Sequence, residues 1–123
     1  MKKRVLLIEK DEAISDILRY ILEDEGYDVI ISVTEQGMVE KVINDRPDLI
    51  LLDIIKPTEE GTALCDELKN SPSTKHIPVI VLSTYPGIQS VNIGCADDII
   101  GKPFGVADMI GVVEKHLPHS ELF

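Results

Sequence analysis

Four short apolar runs each hand over to one polar side chain whose chemistry differs from the others. Residues 5–8 (VLLI) end at Glu9, residues 48–52 (DLILL) at Asp53, residues 77–82 (IPVIVL) at Ser83, and the pair Ile99–Ile100 lies just before Lys102. If the runs are neighbouring strands, these residues bring two carboxylates, a hydroxyl and an ammonium to one edge of a sheet. Open α/β sheets bind ligands beyond the carboxyl ends of their strands. Acids at a strand end followed by a loop suit a cation or a phosphate. Lys10, set among Glu9, Asp11 and Glu12, complicates a cation site, because an ammonium cannot coordinate a metal and repels one.

The elements needed to position these residues can be read from apolar spacing. Residues 11–25 carry Ile14, Ile17, Leu18, Ile21 and Leu22 at the spacing of one helical face, and Gly26 ends the helix. Residues 27–32 give a second strand. Residues 34–45 give a second helix with Met38, Val42 and Ile43 inward, stopped by Arg46 and Pro47. The run before Asp53 is continuously apolar, as in a parallel strand buried on both faces. Thr58 is placed to cap a third helix, with Glu59 and Glu60 in its first turn and Leu64, Cys65 and Leu68 inward. Val106, Met109, Ile110, Val113 and Leu117 mark the last helix. Residues 83–96 contain Pro86, Gly87 and Gly94, so at most a short fourth helix fits there. This alternation implies an open α/β sandwich with right-handed crossovers. Its length of 123 residues suits one domain, with a core over about 4–117 and a short C-terminal tail.

Composition removes several functions. The net charge of −10, from 12 basic against 22 acidic residues, disfavours direct nucleic-acid binding and anionic membrane surfaces. No apolar run is long enough to span a bilayer. Cys65 and Cys95 form no CxxC pair and read as reduced thiols of a cytoplasmic protein. His76, His116 and His119 have no metal-ligand spacing and read as surface residues. Neither GxxxxGK[ST] nor GxGxxG occurs, so no nucleotide site is indicated.

Three blocks in order, DLILLDIIKPTEEG around Asp53, Ser83 after IPVIVL, and ADDIIGKPF ending at Phe104, resemble the receiver domain of bacterial two-component response regulators over nearly the whole chain. The resemblance implies a flavodoxin-like (βα)5 three-layer sandwich with a parallel five-stranded sheet of order 2-1-3-4-5. It implies a phosphoacceptor at Asp53, a lysine (Lys102) that pairs first with Asp53 and then with the phosphoryl group, a switch hydroxyl at Ser83 and a cis bond before Pro103. It implies Mg2+ as cofactor, held by Glu9 and Asp53. Its partners would be a sensor histidine kinase or phosphotransfer protein and a fused or separate output protein. Such a module signals and is not itself an enzyme. A small phosphotransferase or phosphatase would need a general base and a substrate pocket, and the DxD pattern of one phosphatase class is absent at Asp53-Ile54-Ile55.

Three positions depart from that family pattern. Lys10 stands where the family carries a direct Mg2+ ligand, so the metal site is expected to be impaired. Lys10 either replaces the cation, or locks Asp53 in an ion pair, or reaches into solvent. At 4 Å such a pair is worth roughly 4 kcal/mol at an effective dielectric of 20, before desolvation. Ile99 stands where the family has an aromatic switch residue, which mutes that switch. The stretch 83–96 is short, which reshapes the family's signalling face. Two functions therefore stay open: a phosphorylation-dependent switch, and a phosphorylation-independent pseudo-receiver that acts as an interaction module.

Overall fold

A computed structural model describes residues 2–90 and 93–117. Five parallel strands, β1 (Arg4–Ile8), β2 (Asp28–Ser32), β3 (Leu49–Asp53), β4 (Val79–Ser83) and β5 (Asp98–Gly101), form one sheet in the order β2-β1-β3-β4-β5. Among the described residues four α-helices cover its faces: α1 (Glu12–Asp24), α2 (Met38–Asp45), α3 (Ala63–Asn70) and α4 (Val106–His116). This is the flavodoxin-like arrangement and strand order stated above. Among the described residues between β4 and β5 the regular structure is one 3-10 turn, Ile88–Ser90.

The continuous apolar strands are explained by burial on both faces. Leu6, Ile8, Ile50, Leu52, Val79 and Val81 point to one core, with Met38 and Val42 of α2 and Leu64, Cys65 and Leu68 of α3. The alternate residues Val5, Leu7, Leu49, Leu51, Ile80 and Leu82 point to the other, with Leu18 and Leu22 of α1 and Met109 and Val113 of α4. Alternation along a strand thus feeds two cores at once.

Several elements are shorter or shifted from the sequence reading. Residues 34–36 form a turn in which Thr34 Oγ1 accepts from the Gln36 N–H, and α2 starts only after Gly37, whose φ of 67° breaks a helix. Thr58 closes a turn by accepting from the Gly61 N–H, and α3 begins beyond Thr62. Ile17, Ile43 and Val106, read as inward, are 58%, 42% and 50% exposed. His116 is not a plain surface histidine: its Nε2 lies 3.1 Å from Asp98 Oδ2 and joins α4 to β5. His119 and the tail 118–123 lie outside the described residues.

The cysteines correct a second expectation. Cys65 on α3 and Cys95 in the approach to β5 are joined by a disulfide, their Cα atoms 5.6 Å apart. Sequence spacing does not place them together, because they lie 30 residues apart on different elements. A 30-residue separation gives about 3–4 kcal/mol in the chain-entropy account of cross-linking.

Asp98 gives the fold a pH dependence. Burial disfavours its charge, but hydrogen bonds from His116 and the Ile99 N–H, with Lys115 nearby, outweigh it and hold the carboxyl below its ordinary value of 3.8. A depressed carboxyl stabilises the fold above its unfolded pKa and loses that contribution as pH falls through the folded value. Urea denaturation should therefore show Asp98→Asn less stable than the parent near neutrality. The difference should vanish well below pH 3.8, the ordinary value of that carboxyl.

Candidate functional site

Parallel register aligns the strand ends. Ile8 pairs with Leu52, Asp53 with Leu82, and Ser83 with Gly101. Glu9, Asp53, Ser83 and Lys102 therefore emerge at one edge. Lys102 is directed inward by the turn after β5, where its N–H bonds Ser83 O at 2.7 Å and its bond to Pro103 is cis.

The centre is an ion triad. Lys102 Nζ lies 2.6 Å from Glu9 Oε1 and 2.9 Å from Asp53 Oδ1. The Lys102 and Glu9 side chains are 8% and 2% exposed, and Asp53 is 14% exposed, so Asp53 is the member that meets solvent. Burial works against the lysine's charge, but the hydrogen bonds to Glu9 and Asp53 outweigh it and raise the pKa above the ordinary 10.5. Its contribution is full below that ordinary value and is lost only as pH rises through the higher folded one. Ser83 is buried beside the triad, and its Oγ accepts from the Tyr85 N–H at 3.0 Å. Ile99 sits on the central part of β5, half-buried against the core formed with α3.

Lys10 does not join the triad. It is exposed and makes no salt bridge among the described residues. It lines a cleft of about 250 Å³ together with Asp53, Glu35, Lys56 and Thr58. Gly61 closes that cleft, and a Cβ there would collide with the Lys56 carbonyl oxygen. The permanent Lys10–Asp53 lock is therefore absent from this geometry.

Two lining residues escaped the sequence reading. Glu35 was absorbed into a helix, although its place three residues past β2 puts it at the same sheet edge. Its carboxyl is raised above 4.5, first by burial and further by Asp53, with Lys10 opposing. Ionising Glu35 therefore costs stability as pH rises through the ordinary carboxylate range. Lys56, three residues beyond Asp53, carried no signal beyond its nearness to that residue.

Asp11, the next acid after Lys10, accepts from the Ala13 and Ile14 N–H groups and caps α1. Among the described residues no group of three or more His, Cys, Asp or Glu side chains is placed to hold a metal ion. Glu9 and Asp53 share the Lys102 ammonium instead.

Known proteins match this arrangement. A family profile described as "Response regulator receiver domain" covers residues 5–114. The "DNA-binding dual master transcriptional regulator RpaA" of Synechocystis is 36% identical over 121 residues, which is 96% of this chain and 50% of RpaA. The chain thus spans half the length of that relative. The signal receiver domain of a signal transduction histidine kinase from Syntrophus aciditrophicus superposes with a TM-score of 0.82 at 31% identity, over 98% of this chain and 94% of that one. The response regulator protein TrrA of Thermotoga maritima, in complex with Mg2+ and BeF, gives 0.81 at 26% identity, over 94% and 99%.

Removing the central ammonium tests the triad. Lys102→Met should destabilise the protein by about 3 kcal/mol at neutral pH, because two shielded carboxylates lose their counter-charge. Adding Glu9→Gln should restore part of that loss. Urea denaturation of the two single variants and the double variant measures the coupling.

Proposed function

This chain belongs to the response regulator receiver domain family, and on that footing we propose that Asp53 is its phosphoacceptor. One Asp53 oxygen attacks the phosphorus of a phosphohistidine on a sensor histidine kinase or phosphotransfer protein. The P–N bond breaks with its electron pair going to the histidine nitrogen, and an acyl phosphate forms. Asp53 is the triad carboxylate that meets solvent, which supports it as the nucleophile. Lys102 holds it at 2.9 Å and then follows the phosphoryl oxygens. The Ser83 hydroxyl donates to the phosphoryl group, and the following turn moves with it.

The reading includes an impaired Mg2+ site. Receiver domains of the family bind Mg2+, and TrrA was solved with it. Here Lys10 removes a ligand and Asp11 is committed to capping α1. The observation that carries the proposal is the division of labour between lysines: Lys102 is spent on Glu9 and Asp53, while Lys10 faces the same cleft without an ion pair. Lys10 supplies positive charge to the incoming phosphoryl oxygens, an electrostatic role. The phosphorylated surface then controls a partner or an output domain. RpaA, described as a DNA-binding regulator and twice as long, makes a fused or separate output protein a reasonable recipient. The domain itself, at charge −10, is a signalling module read by proteins, and cytoplasmic.

A second reading is favoured by Lys10 and Ile99: a phosphorylation-independent pseudo-receiver that works as an interaction module. Intact-mass spectrometry after incubation with acetyl phosphate separates the two. We expect one phosphoryl adduct that forms with Mg2+ or with EDTA and is absent in Asp53→Asn. Lys10→Asp should make the adduct depend on Mg2+. Absence of an adduct in both conditions selects the pseudo-receiver.

A further inference from the structure

The Cys65–Cys95 disulfide clamps one segment to the body of the protein. Cys65 is fully buried on the inner face of α3, while Cys95 keeps 6% exposure beside the exposed Gly94. The segment it holds begins directly after Ser83. Among its described residues the regular structure is the 3-10 turn, in which the Ile88 and Ser90 amides bond Tyr85 O and Gly87 O at 3.1 and 2.9 Å. Among the described residues Ile88 and Ile93 are its buried aliphatic anchors.

A second tie lies one helical turn along α3. Lys69 Nζ lies 2.5 Å from Asp97 Oδ2, which also accepts from the Val79 N–H at 2.8 Å. Helix α3 thus holds the approach to β5 at two points, one covalent and one ionic. Only the covalent point responds to redox chemistry. A sandwich with two continuous apolar cores does not need a disulfide to fold, unlike small stapled scaffolds.

We propose that Cys65–Cys95 is a thiol–disulfide exchange site through which a dithiol reductant releases residues 84–90 and 93–95 while β5 stays docked. A thiolate of the dithiol attacks Cys95 Sγ, the sulfur on the more exposed residue. The S–S bond breaks with its electron pair going to Cys65 Sγ, which takes a proton. The second thiolate of the dithiol attacks the mixed disulfide, Cys95 leaves as a thiolate and takes a proton, and the dithiol becomes a cyclic disulfide. Two electrons enter the protein and two leave the reductant. Release reaches the phosphoacceptor edge because Ser83 Oγ accepts from the Tyr85 N–H, the second residue of the freed segment. The clamp does not require that Asp53 be phosphorylated.

The test uses the full chain in its oxidised form, with and without dithiothreitol under native conditions. Thiols are counted with N-ethylmaleimide after denaturation, and amide exchange is followed by NMR. No label before reduction and two labels after it are expected, one for each cysteine of the chain. Exchange at Ile88, Ser90 and Ala96 should rise roughly tenfold on reduction, while Asp97 and Lys102 keep their protection. Lys69→Met in the oxidised protein should give the opposite pattern, with Asp97 loosened and Ile88 held. Two labels without reductant would overturn the bridge itself. Reduction that proceeds only at the rate of global unfolding would overturn the exchange site. Unchanged exchange at Ile88 and Ser90 after native reduction would overturn the release.

Discussion

The Lys102 ammonium shared by Glu9 and Asp53 is the constraint around which the rest of the sheet edge is arranged. A buried ammonium is costly without partners, and two buried carboxylates are costlier without it. The three become tolerable only when they lie together, at 2.6 and 2.9 Å. That requires β1, β3 and β5 to end in step, although β5 is separated from β3 by β4. Parallel register supplies this alignment, and the two cores fix the register. A one-residue slip would exchange the Leu6–Ile8 set with the Val5–Leu7 set and turn every strand's side chains to the wrong face. Site geometry and core packing are thus one condition.

The triad also assigns the remaining polar groups their places. Glu9 is covered, so the carboxylate that can meet a partner is Asp53. Asp11 is drawn off to the start of α1, where two N–H groups need an acceptor. Lys10, between them, is left at the cleft beside Glu35. Each of these residues is acidic or basic in the same short stretch, yet their environments separate them into a buried pair member, a cap and a free-facing cation.

Legibility followed the range of the interactions. Glu9, Asp53, Ser83 and Lys102 were readable because each is the polar residue that ends or follows a purely apolar run, and strand ends share an edge. Both cores were readable from period and continuity. Glu35 was not, because Thr34, Glu35 and Gln36 fit a helical pattern, and only the left-handed backbone at Gly37 shows that the helix starts later. Ile17 and Ile43 fit the helical face by spacing, but their helices pack with a narrower stripe than the sequence offers. The disulfide was invisible for a different reason. It joins residues 30 apart that lie on different elements, so no local signal marks the pair.

A fixed ammonium at Lys10 shapes the edge differently from a bound divalent ion. At equal distance and an effective dielectric of 20, a divalent ion attracts a unit charge about twice as strongly as an ammonium, roughly 8 against 4 kcal/mol at 4 Å. Lys10 therefore gives a weaker field than a bound metal. In return the charge is covalently attached and needs no free cation. A bound metal must also strip carboxylates from competing partners, and here both Glu9 and Asp53 are held by Lys102. A cation would have to displace that lysine or share the carboxylates with it, while repelled by Lys10 at the mouth of the cleft. The same arrangement sets no such barrier for an anion, since negative charge approaching Asp53 meets the Lys102 ammonium behind the carboxylate and Lys10 along the cleft.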